Sequence, residues 1–382
     1  MDSIPSHFWL EINVQNLRHN WEILRRIATP HSRIMAVVKS GCYGHGLEAA
    51  EFLFSFGIRD FGVSSVEEGQ ELKERGVGGT IYILGGFLPW EAEAIVEEGF
   101  IPVVSSPRDL ELLEEASKKK GKRTPFHLKV DTGMGRLGFL LEELKSSFLE
   151  TVTQKSFLRM DGVMTHFGSA ESDPMYTRWQ FERFSWFLNS FGPERKNLVG
   201  HCCNSAGFLS FPEMHLDMSR IGIALFGISP TLKVDLVAER GLRPVAQLKA
   251  VVKYVKSLPP GFRVGYGGTF ITVRDTKVAI VSIGYAQGVF RVLSNRMEVL
   301  VRKRRAKVIG AISMDQLTVD VTDIPEVKEG DLVTLIGRDG EEEIRVEDLA
   351  RLAGTIPHEV LCSLKKVKTR VFIENTHGSA KP

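Results

Sequence analysis

Between Val14 and Ala28 the apolar residues Leu17, Trp21, Leu24 and Ile27 recur three or four positions apart. That is the spacing of one buried helix face, so the sequence predicts an amphipathic helix near the start of the chain. Beyond it the period changes. Short apolar runs follow one another at 34–39, 60–64, 80–84, 100–104, 126–131, 160–166, 198–202 and 216–221, with a helical pattern in each gap. Runs of this length, apolar at successive positions and bounded by turn residues, predict strands buried on both faces, as in a parallel sheet. Eight such strands alternating with helices predict a (β/α)8 TIM barrel, with a doubly wound open sheet as the second reading.

Past Gly241 the helical period fades. A long β-branched stretch, 245–258, is followed by candidate strands at 264–271, 278–284, 297–301, 317–321 and 332–337, separated by Gly, Pro and Asp turns. One helix is predicted among them at 346–353, where Glu347 and Asp348 fall in the favourable first turn. The fold class expected is therefore α/β, an N-terminal barrel over 1–240 with a C-terminal mostly β domain over 241–382.

Composition narrows the function classes. With 382 residues, 43% hydrophobic and 25% charged, the chain can bury two cores. A net charge of +2 gives no global field for nucleic acid, and the run Arg302–Arg305 reads as a solvated hairpin tip. Met1–Leu10 lacks the apolar stretch of a signal peptide, and no segment reaches the ~20 apolar residues of a membrane span. A cytoplasmic protein with no membrane partner is expected. Four cysteines, two of them adjacent at Cys202 and Cys203, fit neither a disulfide framework nor zinc spacing, so reduced thiols and no metal are expected.

Barrel enzymes build their sites just beyond the C-terminal ends of the strands. Lys39 ends the first predicted strand, flanked by Val37 and Val38, which are expected to desolvate it and favour a nucleophilic amine able to form a Schiff base. Asp131–Arg136 leaves the fifth strand, His166 ends the sixth, His201, Asn204 and Ser205 follow the seventh, and Arg220 and Gly222 follow the eighth. Ser205 with the Gly222 and Ile223 amides supplies a hydroxyl and two backbone donors where such barrels commonly bind phosphate. Taken singly, Arg136 reads as a surface side chain, His166 as a core histidine and Ser205 as a helix N-cap. None of those readings explains why all three share one face with an amine.

The stretches Val38–Gly46, Lys129–Gly138, His166–Phe167, Asn204–Ala206, Arg220–Gly227, Gly265–Gly267, Gly284–Ala286 and Ser313–Gln316 resemble, in order and spacing, alanine racemases. The resemblance spans nearly the whole chain. It implies a barrel whose C-terminal β domain also takes the first twelve or so residues, and a head-to-tail homodimer with shared active sites. It further implies pyridoxal 5'-phosphate held by Lys39, and Tyr266 of the other chain as the opposing base. Tyr43, Ser205, Gly222 and Ile223 resemble the phosphate binders, Arg220 the partner of the pyridine nitrogen, and His166 its neighbour against the ring; His358 stands where many members carry a second phosphate-contacting tyrosine and can itself hydrogen-bond phosphate. Arg136 and the Met314 amide resemble the clamp for the substrate carboxylate. Lys129 corresponds to a lysine that is carbamylated in several members. The implied activity is racemisation of alanine by two-base proton transfer, supplying D-alanine for peptidoglycan.

The chain departs from the family pattern at Ser40–Gly41–Cys42, which suggests a looser loop, and at Gln287, Ala311 and His358, whose smaller or different side chains suggest a wider substrate entrance. A broad-specificity amino-acid racemase is therefore the leading alternative. A barrel-type pyridoxal-phosphate decarboxylase and a non-catalytic carrier of the cofactor are the others. Tyr266 in its Gly-Tyr-Gly turn and Met314–Asp315 argue against the decarboxylase, and the second domain with its tyrosine, which a carrier resembling the barrel alone leaves unexplained, argues against the carrier.

Overall fold

The computed structural model describes residues 6–144, 148, 152 and 154–374. The described chain opens with β1 (Phe8–Asn13) and the helix Val14–Ile27, whose buried Leu17, Trp21 and Leu24 are the apolar positions read from the sequence. By internal contacts it then divides into two compact units. One comprises residues 21–42 and 47–225; the other comprises 6–20, 43–46 and 226–374.

The first unit is the barrel. Its parallel strands are β2 (Arg33–Val37), β3 (Asp60–Val63), β4 (Thr80–Ile83), β5 (Ile101–Val104), β6 (Thr124–Asp131), β8 (Leu158–Met164), β9 (Val199–His201) and β10 (Met218–Ile221). A two-residue strand, β7 (Phe139–Leu140), adds to β6. The sheet runs β10-β2-β3-β4-β5-β6-β8-β9. Backbone hydrogen bonds from Asp217 N to Gly200 O (3.1 Å) and from Arg220 N to Cys203 O (3.0 Å) join β9 to β10 and close the ring. All eight predicted strands are present, and the closure decides against the open sheet. The strands are mostly apolar because the helices cover one face and the barrel interior, with Met35, Tyr82 and Met218 packed in it, the other.

The second unit is mostly β. Its sheet runs β16-β15-β18-β11-β1-β20, built on β11 (Ala246–Leu258), which pairs antiparallel with β1 from Phe8↔Ala250 to Ile12↔Ala246. β12 (Arg263–Val264) and β13 (Phe270–Ile271) form a short ribbon; β14 (Thr276–Val281) pairs with β11. β15 (Glu298–Val301) and β16 (Arg304–Lys307) make a hairpin, then come β17 (Leu317–Asp320), β18 (Leu332–Asp339), β19 (Glu342–Ile344) and β20 (Arg370–Ile373). Residues 8–13 pair with β11 and β20 of the later part of the chain; Met1–Pro5 and 375–382 lie outside the described residues. The basic run is the tip of the β15–β16 hairpin, with Arg302 and Lys303 both at positive φ as a tight hairpin turn requires. The predicted helix is Val346–Ala353. A further helix, Pro357–Ser363, and strands β16, β19 and β20 were not read from the sequence, being too short and too charged to show a period.

Candidate active site

β2 ends at Val37, and the backbone then winds the opposite way from an ordinary helix. Ser40, Gly41 and Cys42 have φ of 55°, 58° and 53° with ψ near 50°, and Tyr43 has φ 53°. Each left-handed residue with a side chain carries a clash of its Cβ with the following carbonyl, costing roughly 1–2 kcal/mol. The turn persists because its surroundings hold it. Glu68 accepts from Ser40 N at 2.6 Å and, with its other oxygen, from Ser64 N at 2.7 Å, tying the turn to the end of β3. Cys42 N bonds back to Val38 O at 2.9 Å, and the Cys42 side chain is fully buried. The expectation of a looser loop is therefore corrected: Ser40–Gly41–Cys42 form a tight left-handed turn, in which the glycine relieves one of the strained positions. The desolvation argument for Lys39 is corrected too. Val37 and Val38 are buried in the barrel wall, but the turn swings Lys39 off the strand to an exposed position at the barrel mouth.

Arg220, on β10, is 3% exposed. Its Nη2 donates to the carbonyls of Thr165 (2.8 Å) and Cys202 (3.0 Å) and lies 3.2 Å from His166 Nδ1. Its Nη1 donates to His201 Nδ1 at 2.9 Å. A guanidinium only donates, so His201 must accept at Nδ1, carry its proton on Nε2, and pass a hydrogen bond to His127 Nδ1 at 2.8 Å. Burial, then the Arg220 charge, holds His201 well below the ordinary histidine range, and burial pushes His127 down to about 3. Both rings are neutral at neutral pH. Burial lowers Arg220 itself to about 10, leaving it cationic. Its Nε–H makes no hydrogen bond among the described residues, and so remains as a donor for a ligand.

The loop after β6 is organised by Asp131. One of its oxygens accepts from Gly133, Met134 and Gly135 N (2.7–3.1 Å), and the other from Arg136 N at 3.0 Å. Burial raises its pKa, but these four donors outweigh that and hold it below the usual carboxylate value. Its oxygens are thereby occupied by backbone. Arg136 stands exposed at the end of the loop, beside a cavity of about 720 Å³ lined by the segments after β3, β4, β5 and β6. Lys129, on β6, is 3% exposed, and burial followed by the charges of Arg220 and Arg136 lowers it to about 8. His166 is driven well below its ordinary value by burial, then by Arg220, Arg136, Lys129 and Lys39. Arg220, in contact at 3.2 Å, and the charges of Arg136, Lys129 and Lys39 thus all act on one neutral imidazole.

Ser205 Oγ accepts from Gly222 N (3.1 Å) and Ala224 N (3.4 Å), so its hydroxyl sits at the Gly222–Ile223 turn. The N-cap of the helix Ser205–Ser210 is Asn204, which accepts from Gly207 N; Ser205 is not the cap.

Four residues of the sequence-derived set lie in the other unit. Tyr43 packs 5.9 Å from the Phe226 ring and 6.0 Å from that of His358, near the start of the helix Pro357–Ser363. Tyr266 is 72% exposed and Met314 54% exposed. Gln287 ties the Met314 segment down: its amide donates to Asp315 Oδ1 (3.1 Å) and accepts from Gly284 N (2.9 Å), while Ala286 N donates to Met314 O (3.0 Å). The backbone of Ala311 lies 2.8 Å from where a Cβ on Gly265 would stand, next to Tyr266. Sequence reasoning missed Glu68, His127 and Gln180, whose partners are distant in the chain; the four-residue spacing of Ser64 and Glu68 was the one local signal.

The barrel cluster fits an anionic cofactor with a basic ring nitrogen. Four cations converge where the nearby carboxylate is already spent on backbone, a buried guanidinium keeps an N–H in reserve, and a hydroxyl stands beside backbone donors. Residues 12–230 match the family described as alanine racemase, N-terminal domain, and residues 245–372 the alanine racemase C-terminal domain. The chain is 38% identical over 373 residues to the alanine racemase of Halothermothrix orenii, covering 97% of this chain and 98% of that one. The crystal structure of alanine racemase from Streptomyces lavendulae superposes with a TM-score of 0.91 at 31% identity, covering 98% of each chain. That from Bartonella henselae, solved with covalently bound pyridoxal phosphate, gives 0.85 at 30% identity over 97% of this chain and 100% of the other. The amine, arginine and hydroxyl at successive strand ends, and the match of both parts of the chain, have one source: the chain belongs to the alanine racemase family, isomerases that depend on pyridoxal phosphate.

Proposed function

We propose that Lys39 and Tyr266 are the two acid/base groups by which this alanine racemase interconverts L- and D-alanine, each serving one face of the α-carbon. Removing hydrogen from one face and returning a proton to the other requires groups on opposite sides. The cofactor, when bound, supplies stabilisation of the carbanion. Lys39 would anchor it covalently, and Arg220, whose guanidinium is fixed by His201 with His127 behind, would serve its ring nitrogen as a hydrogen-bond donor. His166, held neutral by burial and the surrounding cations, would neighbour that ring. Ser205 with the Gly222 and Ile223 amides, and Tyr43 with His358, would hold its phosphate; Arg136 and the Met314 amide would hold the substrate carboxylate. Lys129, once its ammonium has lost a proton, adds carbon dioxide through the neutral amine and releases a second proton, which turns a buried cation among cations into a carbamate anion. The observation that carries this reading is the gathering of Lys39, Lys129, Arg136 and Arg220 about one neutral histidine.

The exposure of Tyr266 and Met314 in the single chain supports a head-to-tail homodimer in which the β domain (241–382) of one chain lends these two residues to the site on the barrel (1–240) of its partner. A cytoplasmic location and delivery of D-alanine to peptidoglycan complete the reading. No helix among the described residues is long and apolar enough to cross a membrane. Incubation with L-alanine in deuterated water is the test. Exchange of the α-hydrogen together with loss of optical rotation is expected; release of gas and amine, or neither signal, overturns the reading. Ala311, small and beside the Tyr266 turn, favours a second reading of broader specificity, for which a panel of serine, lysine and arginine should show turnover within about tenfold of alanine.

A further inference from the structure

The helix Pro174–Asn189, on the outside of the barrel, turns Tyr176 and Gln180, one helical turn apart, onto the segments that carry the site. The Tyr176 hydroxyl donates to the carbonyl of Gly133 at 2.6 Å. The amide nitrogen of that same peptide unit belongs to Met134 and donates to Asp131 at 2.7 Å, so the peptide is held at both ends. Gly133 has φ 136°, and a Cβ there would meet Tyr176 Oη at 2.6 Å and the Trp179 ring at 2.8 Å. Glycine is what lets the loop lie against the Tyr176–Trp179 pair, whose rings stack 5.2 Å apart. Gln180, fully buried, accepts from Gly168 N at 2.9 Å and reaches His166 O (3.4 Å) and Thr132 Oγ1 (3.5 Å), joining the Arg136 loop to the His166 segment.

We propose that Tyr176 is a positioning residue for Arg136: by fixing the Gly133–Met134 peptide from outside, while Asp131 fixes it from inside, it sets where the guanidinium three residues on meets the substrate carboxylate. This rests on the reading of Arg136 as the carboxylate clamp. A rotation of that peptide re-aims the loop beyond it, and Arg136, exposed, lies at its end. Loss of the hydroxyl therefore weakens recognition of the carboxylate and leaves recognition of the amine intact.

The test uses holoenzyme and two probes that each carry half of alanine: propionate, by calorimetric titration, and ethylamine, by the absorbance of the bound cofactor. For Tyr176→Phe, KM for alanine and Kd for propionate should rise about three- to tenfold, the range that one net hydrogen bond supplies, with kcat changed by less than about twofold and ethylamine binding unmoved. Gly133→Ala, which pushes the loop off the ring pair, should give the same split and serves if Tyr176→Phe is poorly folded. A fall in Tm with the propionate-to-ethylamine ratio unchanged overturns the proposal and leaves Tyr176 a stabilising residue only. Arg136→Ala separates the two levels: an unchanged ratio in that variant overturns the carboxylate reading and the proposal with it. A changed ratio there beside an unchanged one in Tyr176→Phe overturns the proposal alone.

Discussion

Lys129 is the side chain on which pH acts most directly. It is almost fully buried, and burial together with Arg220 and Arg136 brings its pKa from 10.5 in the unfolded chain to about 8 when folded. Below pH 8 both states are protonated and the folded state bears the full cost of a buried cation, on the order of 3 kcal/mol for such a difference. Between pH 8 and 10.5 the unfolded state binds more protons than the folded one, so stability rises with pH across that window and levels off above it. In buffer freed of carbon dioxide, denaturation midpoints should show this rise in the wild type and lose it in Lys129→Gln. The same depressed pKa provides neutral amine near pH 8, the form that attacks carbon dioxide. Added bicarbonate should therefore raise Tm at pH 8 in the wild type and leave Lys129→Gln unmoved; equal responses would argue against carbamylation.

At the level of elements, the turn that presents Lys39 stores strain. Four consecutive residues are left-handed, and Glu68, the Cys42–Val38 bond and the burial of Cys42 hold them so. Gly41 isolates the backbone cost from packing, because a Cβ there meets nothing within 4 Å. Gly41→Ala should lower stability by about 1–2 kcal/mol through conformation alone. Chemical denaturation measures it, and a neutral substitution would mean that the turn does not keep this conformation in solution. The Asp131 loop uses a different device: it holds Arg136 with backbone donors onto one carboxylate, so its geometry survives changes at the exposed side chains around it.

For the whole molecule, the dimer reading makes a prediction that no single-chain site shares. Lys39→Ala and Tyr266→Phe, each alone, should be inactive from L- to D-alanine, because every site in either homodimer lacks one base. Mixed after dissociation and reassembled, half of the dimers are hybrids, each with one intact site and one doubly defective. Activity should recover to about a quarter of the wild-type value. No recovery, with hybrid dimers shown to form, would place both bases in one chain.

Much of this organisation was legible before any coordinates. Eight mostly apolar runs at helical intervals predict parallel strands covered on both faces, and the closure of that sheet into a barrel came only with the structure. The rule that barrel sites lie at strand ends then picks out Lys39, Arg136, His166, Ser205 and Arg220, which the structure places after or at the ends of β2, β6, β8, β9 and β10. What periodicity does not encode is contact between residues far apart in sequence. Glu68 bracing the lysine turn, the His201–His127 relay behind Arg220 and Tyr176 on the Gly133 carbonyl each depend on side chains that meet only when the barrel closes. The left-handed hand of residues 40–43 is likewise a tertiary decision, since local sterics oppose it and only the bonds around it pay the difference. The sequence by itself determined the frame and the chemistry carried to its rim. The closed barrel decided the charge states and tautomers there, because burial and neighbouring charge are properties of the packed fold.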